Sequence, residues 1–307
     1  MISYYYRTIR DKSCRQIPEY RRGAIGVIEE ATQSDVAEMA GYLDLDVVDL
    51  VDVFDAQEIP RLETDQGYMM LFIRAPLPLE DKELLETQLY MLVYANSRFY
   101  AVTHGDASLF LEVLGKEQAA TTQTAKLVVQ FLLKVSKKYS VYINEIARRV
   151  EEKRKLFGKI NEKDIEQLLG FEAILNEYVA VLSPMQKIAS ALTAKNHLNW
   201  FEEDKDLIED LMISLSQSVE VCTVNLKKIL SLRNSFQIIF TNKLNQTVQL
   251  LTSVTIILTI PTMVASLFGM NVVLPFAEHP NGFWLVIGIA LMFSFCMALI
   301  FRRNKWL

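Results

Sequence analysis

The sequence predicts an α+β cytosolic domain with long helices, followed by a long stalk helix continuous with the first of two transmembrane helices. Three observations predict it. Strand-like stretches with a period of two are confined to roughly the first 105 residues. Three long helical patterns with few interruptions follow. Two charge-free apolar stretches then lie close together near the C-terminus.

Composition bounds the function classes. The 307 residues suffice for a globular core and a second module, and 51% are hydrophobic. That suits a water-soluble body carrying a short membrane portion. A net charge of −5 argues against nucleic acid as a partner, since that surface needs clustered positive charge. Cys14, Cys222 and Cys296 are far apart and form no CxxC pair, so neither a disulfide framework nor a thiolate zinc site is expected. His104, His197 and His279 are equally scattered. No nucleophile, base and orienting group cluster recognisably, so no enzyme and no resident cofactor are expected. The first residues, Met1 to Arg7, show no basic segment leading into an apolar run, so nothing there exports the N-terminus.

Residues 1–110 read as the mixed α/β domain. Ala24–Glu29 is a short strand, and Ser34-Asp35 offers an N-cap with an acid in the first turn of a helical run extending to Phe54. Gly67–Ala75 and Leu89–Val102 read as strands, the second turning at Ala95-Asn96-Ser97. Residues 111–200 carry long helices, Lys126–Phe157 and Glu162–Lys195, the latter expected to kink or break at Pro184. Arg148 to Lys155 mix signs and read as a solvated helix face.

Residues 201–246 read as a stalk helix. Its apolar positions, from Leu207 to Phe240, recur in steps of three, four or seven, and no Gly or Pro interrupts it before Pro261. Continuous from Glu202 to Phe268, it would span on the order of 100 Å. Val248–Phe268 is 21 residues without a charge, within a transmembrane segment at 247–270. Phe283–Phe301 is 19 residues whose one hydroxyl is Ser294. Both meet the length of a membrane span, so a lipid bilayer is an expected partner. Lys227, Lys228, Arg233 and Lys243 precede the first span, and Arg302, Arg303 and Lys305 sit in the basic tail 302–307. By the positive-inside rule both termini are cytosolic, in a multi-pass protein whose residues 271–282 form a small external loop.

Polar residues in the first span are ordered. Asn245, Gln249, Thr252, Thr255, Thr259, Thr262 and Ser266 are separated by 4, 3, 3, 4, 3 and 4 residues, which places them in one helical stripe. Lipid would not favour such a stripe. Hydroxyls can mediate packing between membrane helices, and they can also line a water-filled pore. The length of the stripe favours the pore, with the second span outside it. One or two helices cannot enclose a pore, so a homo-oligomer follows in which each chain donates one pore helix.

Directly after this helix stands Gly269-Met270-Asn271. The order Pro261-Thr262, Phe268-Gly269-Met270-Asn271, short loop, second span and Lys305-Trp306-Leu307 is similar to the CorA family of divalent-cation transporters. The resemblance extends to Leu50-Val51-Asp52-Val53 and Pro60-Arg61-Leu62-Glu63 before Tyr68 and Phe72, and so covers most of the chain. It implies a homopentameric channel for Mg2+ in the cell membrane, with Gly269, Met270 and Asn271 at the external mouth. A ring of neutral Asn271 amides suits a hydrated ion that gives up water reluctantly. Asn245 and Leu251 stand where the family places a polar ring and an apolar constriction. Val248 and Thr259 stand where many relatives have methionine. The resemblance also makes Mg2+ a regulatory ligand, at positions matching Asp52 and Asp210. The loop at 272–282 departs from the family's usual Met-Pro-Glu-Leu stretch, and Glu278 is its candidate for attracting cations. Zinc-transporting relatives share the signature, so zinc, cobalt or nickel remain alternative cargoes. A membrane-anchored sensor that does not conduct is a third reading.

Overall fold

The computed structural model describes residues 1–65, 67–77, 87–116, 120–155, 162–194, 202–270 and 281–306. Its strands are β1 (Ile2–Tyr6), β2 (Arg15–Ile17), β3 (Ile25–Ile28), β4 (Arg61–Asp65), β5 (Tyr68–Pro76), β6 (Thr87–Ala95) and β7 (Arg98–Thr103). Its helices are α1 (Gln33–Leu43), α2 (Val47–Leu50), α3 (Ser108–Lys116), α4 (Thr124–Lys155), α5 (Glu162–Ala194), α6 (Glu202–Phe268) and α7 (Gly282–Arg303). Two compact units result, Met1–Ser231 and Leu232–Leu307.

In the first unit the strands form one sheet in the order β2-β1-β3-β7-β6-β5-β4. Among the described strands only β3 and β7 pair in parallel. The β6–β7 hairpin closes at Asn96 and Ser97, with φ of 49° and 61°, the left-handed pair that matches strand twist in a two-residue loop. The Asn96 amide also donates to the Leu43 carbonyl at 2.7 Å, closing the end of α1. Along β6 the side chains alternate between two covered faces. Met91 and Val93 join Met39, Leu43 and Val53 in the core on one side. Tyr90 packs edge-on against Phe131 of α4 on the other, with ring centres 5.1 Å apart. Gly26 is required where β3 passes Tyr100, because a Cβ there would fall 2.3 Å from the ring.

The helical run expected to extend from Ser34 to Phe54 is three pieces. Thr32, not Ser34, is the N-cap of α1, in a capping box with Asp35. Hydrogen bonds from Thr32 hold the Asp35 carboxyl down to about 2. Asp44 then turns left-handed at φ 58° and ends α1. Asp46 caps α2, and a 3-10 turn carries Val51–Phe54.

Helix α5 runs through Pro184 without breaking. The missing backbone donor is outweighed by packing, since Tyr178, Leu182, Met185 and Ala189 are all fully buried around it. Tyr139 of α4 meets Tyr178 edge-on at 4.8 Å and donates to the Arg74 carbonyl at 3.0 Å. Helices α4 and α6 approach closely through two serine pairs, Ser136–Ser214 at 2.8 Å and Ser140–Ser218 at 2.9 Å. Cys222 is fully buried, and burial pushes its thiol up to about 12, as expected of a packed rather than a metal-binding cysteine.

Helix α6 is continuous over 67 residues, the range read from the sequence, with Pro261 inside it. In the second unit it meets α7 where the Ser294 hydroxyl lies 3.4 Å from the Ile257 carbonyl, and on that side of α6 Ser253 is buried and Ile256, Ile257, Ile260 and Val264 are half-buried. Ala290 and Ser294 are the buried residues of α7.

Candidate ion path and regulatory acids

The polar stripe of α6 is displaced from the α7 contact. Asn245, Thr252, Thr255, Thr259, Thr262 and Ser266 are exposed, whereas Gln249 is half-buried at its edge. At 3.6 residues per turn, the centre of the stripe lies roughly a third of a turn or more from the face formed by Ser253, Ile257 and Ile260. Packing of α6 on α7 within one chain therefore does not account for the stripe. The buried hydroxyl of this segment, Ser253, donates to the Gln249 carbonyl of its own helix and falls outside the stripe's spacing.

Three of its hydroxyls are oriented by their own helix. Thr255 donates to the Leu251 carbonyl at 2.9 Å, Thr259 to Thr255 at 2.7 Å and Thr262 to Leu258 at 3.2 Å. A hydroxyl has one proton, so each oxygen then faces outward as an acceptor. A hydrated cation presents water hydrogens outward. The middle of the stripe, from Thr255 to Thr262, thus offers the complementary atoms.

Val248 and Leu251 share this side of α6, with exposures of 52% and 67%. At the end of the helix Gly269 donates to the Ala265 carbonyl at 2.9 Å and does not adopt the left-handed conformation of a capping glycine. Met270 is exposed beside it. Asn271 and Glu278 lie outside the described residues.

Of the two regulatory candidates, Asp52 sits on the 3-10 turn and Asp210 on α6. Asp210 is exposed, with the exposed apolar side chains of Met212 and Ile213 nearby. Asp52 is engaged by Arg61, the first residue of β4. The Arg61 guanidinium holds its carboxylate at 2.6 Å, binds Glu63 and Glu58 as well, and lies 4.0 Å over the Phe72 ring. Glu63, two residues along β4, shares a strand face with Arg61, whereas Glu58 lies in the irregular stretch before the strand and no local spacing signals the contact with Asp52. No group of three or more His, Cys, Asp or Glu side chains that could hold a metal occurs among the described residues. In the acidic stretch at the start of α6, Asp204 is buried, while Asp206 and Glu209 are exposed.

A mixed sheet with long helices, whose last long helix continues as an apolar segment followed by a second apolar helix, is the architecture of a two-span membrane transporter. The comparisons make the class specific. Residues 27–303 match the family described as CorA-like Mg2+ transporter protein, and the chain belongs to that family. It is a divalent-cation transporter carried by membrane-spanning helices, and its family is one of transporters rather than enzymes. The cobalt/magnesium transport protein CorA of Methanocaldococcus jannaschii is 25% identical over 285 residues, covering 89% of this chain and 88% of that protein. The divalent cation transporter CmaX of Pseudomonas aeruginosa is 33% identical over 131 residues, 41% of this chain and 38% of that one. In fold, the complete CorA magnesium transporter from Methanocaldococcus jannaschii superimposes with a TM-score of 0.84 at 21% identity, covering 100% of this chain and 99% of that one. The full-length CmaX structure gives 0.72 at 20% identity, over 99% and 98%.

Proposed function

We propose that five copies of this chain form a channel that admits Mg2+ down the membrane potential and closes when cytosolic Mg2+ is high. Residues 1–110 and 111–200 form the cytosolic body, 201–246 the stalk, 247–270 the pore helix, 271–282 the external loop, 283–301 the outer span and 302–307 a basic cytosolic tail. Both termini lie in the cytosol, where the positive charge is placed. The observation that carries the reading is the acceptor stripe of α6, exposed on a side that α7 leaves uncovered. Five such stripes would surround a hydrated ion with oxygen atoms and demand no dehydration. A doubly charged ion gains roughly 4.6 kcal/mol per 100 mV on moving inward, enough to drive uptake without a second coupling ion.

At the mouth, Gly269, Met270 and Asn271 select the ion, with Asn271 supplying the amide ring and Glu278 raising local cation concentration. Leu251 forms the constriction, and Asn245 the polar ring toward the cytosol. Regulation rests on Asp52 of one subunit facing Asp210 of the next, with Mg2+ neutralising their repulsion. In this chain the bound ion must displace Arg61 from Asp52, which lowers apparent affinity and suits a sensor of abundant free ion.

Metal-resolved uptake into vesicles of reconstituted protein tests the reading. Mg2+ influx should rise with an inside-negative potential, and cobalt hexammine should block it. Asn271→Ala should abolish uptake, or broadly lose its selectivity, while the protein still assembles. Zinc or nickel influx without Mg2+ influx, or unchanged Mg2+ uptake and block in Asn271→Ala, would overturn it.

A further inference from the structure

Pro261 stands inside the apolar part of α6 and brings no backbone N–H, so the Ile257 carbonyl four residues earlier loses its helical donor. In hydrocarbon a bare carbonyl is costly, and proline is tolerated in spanning helices where a neighbouring group replaces the donor. The hydroxyls nearest along α6 do not reach it: Thr255, Thr259 and Thr262 donate instead to Leu251, Thr255 and Leu258. Ser294 of α7 does reach it. Its Oγ lies 3.4 Å from the Ile257 oxygen, it is only 9% exposed, and it is the one hydroxyl in α7.

We infer that Ser294 is a positioning residue of the ion path: its hydroxyl stands in for the donor that Pro261 removes and so sets the direction of α6 beyond the proline. Everything carried by that last stretch, Thr262, Ser266, Gly269 and Met270, inherits the alignment. Ser294 itself touches no ion. The flux part of this inference rests on α6 lining the path, whereas the hydrogen bond is testable apart from it.

The experiment is a double-substitution cycle in the full-length protein, with Ser294→Ala, Pro261→Ala, both together, and Ser294→Thr. Two quantities are read, the melting temperature of the assembled protein and the concentration of cobalt hexammine that half-blocks Mg2+ uptake. Ser294→Ala should lower the melting temperature and shift half-block about threefold, the size of an average hydrogen bond between membrane helices. Ser294→Thr, which keeps the hydroxyl, should restore both. With Ala at position 261 the backbone supplies its own donor, so Ser294→Ala should then change neither. An equal effect of Ser294→Ala in both backgrounds would overturn the proposal, reducing Ser294 to simple packing. A coupled change in melting with no change in block would overturn the positioning role. A parent protein that takes up no divalent cation would sink the channel reading instead, leaving the melting cycle to decide the hydrogen bond.

Discussion

Among the described residues three helices are long and apolar enough to cross a membrane, and two of them differ sharply from the third. In α5 39% of the apolar window is buried, against 6% in α6 and in α7. Helix α5 finds its cover within the protein, where Leu168, Leu175, Tyr178 and Leu182 are all but inaccessible. The other two leave Leu258 at 66%, Phe283 at 69% and Trp284 at 70% exposed. Hydropathy therefore measures how much apolar surface a helix has, and only the fold shows what covers it. In α5 the cover is side chains; in α6 and α7 it must come from lipid or from other copies of the chain.

The largest effect that could break this contrast comes from placing one charge on each side of the membrane helices. Ala290→Asp sets a carboxylate into the buried α6–α7 contact, at about 2.5–3.5 kcal/mol near the centre of a span. Membrane yield of assembled protein should collapse. Thr255→Asp on the stripe should assemble normally and slow conduction, because a carboxylate ring holds the ion too tightly. Equal collapse of both, by size-exclusion chromatography, would mean the stripe faces lipid or protein rather than water.

Next in size is Leu251. Replacing this exposed apolar side chain by Asn should let water enter the constriction, and Mg2+ should leak at cytosolic concentrations that close the parent. Flux as low as the parent's would place the gate elsewhere.

The smallest effect sharpens the description of the first unit. Asp52→Asn with Asp210→Asn should remove the protection that Mg2+ gives α6 against limited proteolysis. Arg61→Gln should instead move the protection midpoint to lower Mg2+ by roughly twofold to threefold. That is the worth of a part-exposed ion pair of ~0.5 kcal/mol, Arg61 and Asp52 being 30% and 43% exposed. A midpoint unchanged in both variants would make these residues ordinary surface charges.

The legibility of the sequence differed in the same two-part way. Helix α6 was readable from Glu202 to Phe268 because its periodicity is local and unbroken, and the β6–β7 turn was readable because Asn96 takes a left-handed conformation readily. Strands β1, β2 and β4 were not. Their residues are half-exposed or exposed, and β1 pairs with β3 across more than twenty residues, as Ser3 with Val27; β4 has a near partner in β5, Asp65 lying opposite Tyr68, but its Arg-Leu-Glu-Thr-Asp run carries little apolar alternation to mark it. The break at Asp44 escaped because an apolar pattern passes over a single left-handed residue. The polar stripe of α6 was legible as a spacing, and the exposure of all its members but Gln249 is what the structure adds. What the spacing could not supply was direction: which face α7 covers, and that Ser294 reaches Ile257 while Arg61 reaches Asp52.

The serine pairs between α4 and α6 carry one more consequence. Their rungs are four residues apart on both helices, so the ladder nearly maps onto itself when one rail slides by a turn. Moved that way, Ser140 would meet Ser214 and one rung of two would survive. Hydroxyl contacts alone therefore specify the spacing of the two rods but only weakly their axial setting. The setting must be read from the uneven side chains beside the rungs, Val135 and Tyr139 on one rod, Leu211, Leu215 and Cys222 on the other. It is a vernier whose scale repeats and whose zero is set by shape.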